Sequence, residues 1–135
     1  MGITEACFDL AVAYAKQRKQ FGQLIGNFQL IQSKLADMCV GMETSRLLTY
    51  KAAIEAEKAA AGGKGTEIHK VAGASILYAA EVATKVALDA VQIHGGYGYM
   101  LDYPAQRFLR DAKLLKIGAR TSEVRRWIIA REIMA

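Results

Sequence analysis

The chain has 135 residues, of which 53% are apolar and 23% charged, and carries a net charge of +5. That length predicts one domain able to form a core without disulfide or metal staples. The plentiful Leu, Ile and Val exclude a disordered tail, and one proline among many Ala, Leu, Lys and Glu argues against an all-β domain, so the expected class is all-α. Cys7 and Cys39 lack metal-type spacing and read as reduced, buried thiols, and neither His69 nor His94 has a ligand-spaced partner, so no metal site is expected. Met1-Gly2-Ile3-Thr4-Glu5 has no basic start and reads as no signal peptide. Charges are expected to interrupt each apolar run before the roughly 20 residues of a membrane span.

The first helix is expected over Ile3 to Gln17, with Ala6, Leu10, Ala13 and Tyr14 as its apolar stripe. A loop from Phe21 to Asn27 follows, marked by two glycines and carrying Phe21, Leu24 and Ile25, which need something to pack on. The second helix is expected over Phe28 to Ala61, where Phe28, Ile31, Leu35, Met38 and Met42 step by three and four. Ala61-Gly62-Gly63-Lys64-Gly65 stops it. Thr66 is the expected N-cap of a third helix, whose stripe runs Ile68, Ala72, Ser75, Ala79, Val82, Val86, Ala90 and Ile93, its alanines permitting close helix approach. Gly95-Gly96-Tyr97-Gly98-Tyr99 is a tight glycine-rich turn, and Pro104 suits the first position of a fourth helix reaching Lys116. Ile117-Gly118-Ala119-Arg120 interrupts, and Thr121 or Ser122 caps a fifth helix that runs to the C-terminus. Together these predict an antiparallel up-down four-helix bundle whose last arm is broken near residues 117–121.

Two features invite function. Between Arg107 and Arg131 stand eight basic and two acidic residues, read either as a solvated face or as contacts to phosphates. Asp111 and Arg107, four apart, can pair on one helix face. The Gly95-Gly96 turn is either a plain helix stop or a place where exposed backbone N–H groups admit a phosphate, although no strand precedes it as in a dinucleotide-binding or P-loop motif. His94 reads as a helix-end donor, and no nucleophile elbow or Cys–His pair is present.

Taken together, Arg18-Lys19-Gln20-Phe21-Gly22, then Phe28-Gln29, then Gln92-Ile93-His94-Gly95-Gly96-Tyr97-Gly98-Tyr99, Tyr103-Pro104, Arg107-Phe108-Leu109-Arg110-Asp111-Ala112-Lys113 and Thr121-Ser122-Glu123-Val124-Arg125-Arg126 resemble the acyl-CoA dehydrogenase family. The run from Gly118 is most similar to the isovaleryl-CoA branch. The resemblance covers essentially the whole chain, but only the C-terminal helical bundle of that family. It implies flavoproteins about three times as long, with an N-terminal helical and a middle β domain absent here, which dehydrogenate the α and β carbons of an acyl-CoA. A glutamate takes the α proton, FAD takes the β hydride, and an electron-transfer flavoprotein reoxidises the flavin. The resemblance further implies a homodimer or homotetramer built through this bundle, in bacterial cytoplasm or the mitochondrial matrix.

Carried over position by position, the resemblance makes Arg18 a pyrophosphate ligand of FAD, with Phe21 beside it and Gln29 reaching the FAD of a neighbouring subunit. Gln92, Ile93, His94, Gly95 and Gly96 become the turn that meets the adenosine-diphosphate part. Thr121, Ser122 and Glu123 become FAD contacts at a helix N-terminus. Ala119 occupies the position of the usual catalytic glutamate, so no catalytic residue is named; in the isovaleryl branch the base comes from a helix segment that would precede Met1. Arg120 stands where the family has glycine close to the thioester, and should obstruct or re-aim the substrate pocket. The expectation is therefore the FAD-contacting, oligomerising domain of an acyl-CoA dehydrogenase, inactive in isolation and with FAD binding by this piece alone left open. The rival is a non-catalytic interaction module of the same descent, and nucleic-acid binding is not expected.

Overall fold

The computed structural model describes residues 1–63 and 67–134. Helix α1 spans Gly2–Ala15. A miniature hairpin of β1 (Lys19–Gln20) and β2 (Gln23–Leu24) follows, then one 3-10 turn over Ile25–Asn27. Helices α2 (Gln29–Ala60), α3 (Ile68–His94), α4 (Gly96–Tyr99), α5 (Ala105–Ile117) and α6 (Ser122–Met134) complete the described chain. The class is all-α, as expected. The hairpin and the one-turn α4 are additions to it, and the expected cap Thr66 lies outside the described residues.

The contacts between helices fix their directions. Lys34 meets Asp89 at 2.7 Å, Asp37 meets Lys85 at 3.4 Å and Thr49 meets Ser75 at 3.3 Å, so α2 and α3 run antiparallel. Tyr14 stacks on His94 while Ile3 shares a cleft with Ala80, so α1 runs parallel to α3. Thr84 reaches the Ala112 carbonyl and Arg126 the Glu81 carboxylate, which brings α5 and α6 back down the other side of α3. The result is the up-down bundle, with α5 and α6 as one interrupted arm.

Helix α3 is the centre, packed by α1, α2, α5 and α6. Its buried residues include Ser75, Val86, Ala90 and Ile93 of the expected stripe, together with Ala80, Ala83 and Ala87. Opposite them, α1 buries Thr4, Cys7, Ala11 and Ala15, one residue away from the expected stripe. Small side chains face small side chains here, so the two backbones approach closely. The larger Phe8 and Tyr14 pack at the flanks of the core instead. By length and composition α3 is also apolar enough to cross a membrane, which the sequence expectation missed. In the bundle its mid-helix charges Glu81, Lys85 and Asp89 are paired with Arg126, Asp37 and Lys34 from α6 and α2.

Among the described residues, positive φ angles occur at the hairpin, at Gly62 after α2, at Gly95 after α3 and at the break between α5 and α6. The hairpin turns at Phe21 (φ 51°) and Gly22 (φ 79°), the pair of positive angles that a tight two-residue hairpin requires. Ile25 packs into the core, but Phe21 is 92% exposed and meets the Phe28 ring edge-on at 6.2 Å. The break between α5 and α6 turns at Ala119 (φ 51°) and Arg120 (φ 90°). Among the described residues Arg107 lies over Phe108 at 5.4 Å and is not ion-paired with Asp111, which corrects the expected helix-face pair.

Candidate functional site

The predicted residues fall into two groups at opposite ends of α1, about 20 Å apart at ~1.5 Å per helical residue. The first lies where α1 and α3 both end. A cleft of about 440 Å³ is lined there by Tyr14, Arg18, Gln20, Ile25, Ile93, His94, Gly95, Gly96, Tyr97 and Met100. A second hollow of about 750 Å³ adjoins it, sharing Gln20, Ile25 and Ile93 and adding Phe21 and Gln29. Six of the carried-over positions beyond Ile93 thus meet on one continuous surface: Arg18, Phe21, Gln29, His94, Gly95 and Gly96. Gln92 is exposed on the last turn of α3 and lines neither hollow.

Local structure explains this surface. The Arg18 N–H donates to the Tyr14 carbonyl at 2.9 Å, and the Ile25 N–H donates to the Arg18 carbonyl at 2.9 Å, so the backbone beneath the guanidinium is held on both sides. Helix α3 stops because Gly95 takes φ +60° and ψ −138°, a conformation that suits glycine and few other residues. A Cβ on Gly95 or Gly96 would meet nothing within 4 Å, so their bare backbone faces open space. Gly98 is the opposite case. A Cβ there would sit 2.5 Å from the Val91 carbonyl oxygen, so α4 lies directly on α3.

His94 is buried, and its Nδ1 lies 2.8 Å from the Ala90 carbonyl, bearing out the helix-end donor reading. Its ring stacks on Tyr14 with centroids 4.2 Å apart, and Tyr103 meets both rings edge-on. Tyr97 lies 5.4 Å from Tyr103, and the Arg18 guanidinium carbon lies 5.4 Å from the Tyr97 ring centroid. Burial raises the Tyr14 phenol above its ordinary range against the opposing pull of Arg18. Tyr14, Tyr97 and Tyr103 were not singled out as site residues from the sequence. Tyr97 and Tyr103 stand within the quoted motifs, and Tyr14 within the apolar stripe of α1, without a role of their own.

The second group lies at the other end. Ala119, Gly118 and Arg125 line a cleft of about 740 Å³ with Met1, Gly2, Ile3 and the apolar residues Ile76, Ala79, Ala80, Ala83, Leu114 and Leu115. Arg125 is buried and holds the α5–α6 break together: its Nε donates to the Arg120 carbonyl at 3.1 Å, and Nη2 to those of Gly118 and Ala119 at 3.3 Å. The Thr121 hydroxyl caps α6 through the Val124 N–H at 3.5 Å. The Glu123 backbone N–H and the neighbouring Thr121 hydroxyl hold the Glu123 carboxyl below the usual carboxylate range, which makes it a poor base. The Ser122 hydroxyl is buried beside them without a hydrogen-bond partner among the described residues. Arg120 lines a separate hollow of about 470 Å³ with Trp127 and Arg131 rather than the Ala119 cleft.

A model of the acyl-CoA dehydrogenase C-terminal domain matches residues 1–134. The chain belongs to the acyl-CoA dehydrogenase family, as its C-terminal helical domain. It is 51% identical over 133 residues to the mitochondrial isovaleryl-CoA dehydrogenase of Solanum tuberosum, covering 98% of this chain and 31% of that protein. Its fold superposes on butyryl-CoA dehydrogenase from Megasphaera elsdenii with a TM-score of 0.89 and 40% identity, covering 99% of this chain and 33% of that one. It is similar also to the FAD complex of PigA, with a TM-score of 0.88 and 28% identity over 97% of this chain and 33% of that one. The chain spans about a third of the length of the relatives it matches.

Proposed function

We propose that this bundle supplies two FAD half-sites and a self-association surface to a flavin-dependent acyl-CoA dehydrogenase of the isovaleryl type. The observation that carries the reading is the meeting of Arg18 with the open Gly95–Gly96 backbone in one cleft. A guanidinium suits bidentate contact with phosphate oxygens, and two glycines without side chains let a pyrophosphate approach the main chain. Phe21 and Gln29 extend the surface along the adjoining hollow.

The second half-site is the N-terminus of α6. Thr121 presents its hydroxyl at the positive end of a 13-residue helix, and the buried Ser122 hydroxyl, without a partner among the described residues, fits a site that a polar ligand group completes. A single bundle holds the two half-sites at opposite ends, so each serves a different flavin in a dimer or tetramer. When bound, FAD supplies the acceptor for the β hydride of the thioester. The chain's own residues bind, orient and shape the apolar approach. Ala119, the position of the usual catalytic glutamate, and the first turn of α1 border one cleft. Reoxidation by an electron-transfer flavoprotein, and location in cytoplasm or mitochondrial matrix, follow the same resemblance.

Titration calorimetry of this chain with ADP tests the first half-site. ADP is expected to bind the wild type, and Arg18→Ala is expected to weaken it by about ten-fold or more, the loss of a charge-assisted contact. Unchanged affinity in Arg18→Ala overturns the assignment.

A further inference from the structure

We infer that Tyr97 is a positioning residue: its ring holds the Arg18 guanidinium in the cleft before any ligand arrives. The inference rests on the reading of that cleft as a phosphate site, but the arrangement behind it is geometric. Arg18 is half-buried, and no carboxylate is ion-paired with it among the described residues. Its placement therefore rests on the ring 5.4 Å away. A flat, weakly hydrated guanidinium is drawn to the negative face of an aromatic ring, and the contact spares the acidic partner that would neutralise the charge.

The ring is itself fixed. Tyr97 sits on the single turn α4, whose Gly98 lies against Val91 so closely that no Cβ fits. Tyr103, from the loop before α5, meets the Tyr97 ring at 5.4 Å and also the His94 ring at 6.0 Å. The buried end of α3 thus holds Tyr103, Tyr103 meets Tyr97, and Tyr97 meets Arg18. A long side chain that is already ordered loses less rotamer freedom on binding, which raises affinity without adding a contact to the ligand.

The test uses the whole chain with two readouts. In calorimetry with ADP, Tyr97→Leu is expected to weaken binding about two- to five-fold, the size of a part-exposed cation–π contact, and Tyr97→Phe, which keeps the ring, restores it. In an Arg18→Ala background Tyr97→Leu is expected to add nothing. Wild-type affinity in Tyr97→Leu, or an equal loss in the Arg18→Ala background, overturns the inference. The second readout needs no ligand. NMR of the Arg18 side chain is expected to show a ring-current shift that persists in Tyr97→Phe and vanishes in Tyr97→Leu; its absence from the wild type overturns the inference outright. Failure of the wild type to bind ADP with the ring-current shift intact overturns the phosphate reading and leaves the stacked pair standing.

Discussion

Arg125 does at the scale of one residue what a helix cap does elsewhere. Its planar guanidinium reaches three consecutive carbonyls of a segment whose Ala119 and Arg120 are both left-handed. A lysine ammonium is a point donor on a flexible stem and cannot make that fork. Arg125→Lys is therefore expected to lower the unfolding free energy by about 1.5–3 kcal/mol, the worth of charged hydrogen bonds, as read by urea denaturation. Arg120 tells the complementary story. At φ 90° a side chain strains the backbone, so Arg120→Gly is expected to raise the urea midpoint rather than lower it. The expectation that Arg120 would intrude near the substrate came from its size, whereas the backbone angles turn it toward Trp127 and Arg131.

Cys7 adds a pH dependence. Burial pushes its thiol up to about 11 from 9.0, because the thiolate loses its hydration there. The raised value means the folded state holds the proton more tightly. That contribution is complete below pH 9 and disappears as pH rises through about 11. The native protein is expected to react with a thiol reagent first at the half-buried Cys39, and at Cys7 only on unfolding. Mass spectrometry of partly labelled protein checks the order.

At the scale of elements, the helices were legible because they obey a 3.6-residue period: Met38 and Met42 of α2 and Val86, Ala90 and Ile93 of α3 all lie in the core as their spacing requires. Periodicity says less about rotation when a helix is packed on more than one side, and α1 accordingly buries a line one residue from the expected one. Helix α4 escaped because four residues hold no period, and its geometry is set by Gly98 against Val91, a contact across seven positions. Gly98→Ala is expected to destabilise the bundle by about 1–3 kcal/mol through overpacking against main chain. It is also expected to weaken ADP binding, since it lifts Tyr97 away from Arg18. Alanine at Gly96, whose Cβ would meet open space, is expected to leave stability nearly unchanged while crowding a ligand's phosphate. Thermal melts paired with ADP titration separate the two effects.

At the scale of the whole molecule, the bundle is notable for how much apolar surface its five long helices leave outside. Leu47 (67% exposed) and Tyr50 (61%) stand on α2, and Leu114 (62%) on α5. Exposed apolar area of this kind belongs to surfaces that meet other protein, so the chain is expected to self-associate above micromolar concentration in sedimentation velocity. The candidate site was legible only in part for the same reason of scale. Arg18, Gly95 and Gly96 are named by motif, yet that they share a cleft follows from α1 running parallel to α3, and the ring cluster of Tyr14, His94, Tyr97 and Tyr103 exists only after four chain segments pack. Motifs likewise did not show that Thr121 and Ser122 belong to the other end of the bundle.

The most direct test of the central claim is an NMR titration of the isotope-labelled chain with ADP, following every backbone amide. The shifts are expected to concentrate at Arg18, Gly95, Gly96 and Tyr97 and to be abolished by Arg18→Ala. Shifts confined to the Thr121 end, to the hollow at Trp127, or absent throughout would contradict that claim.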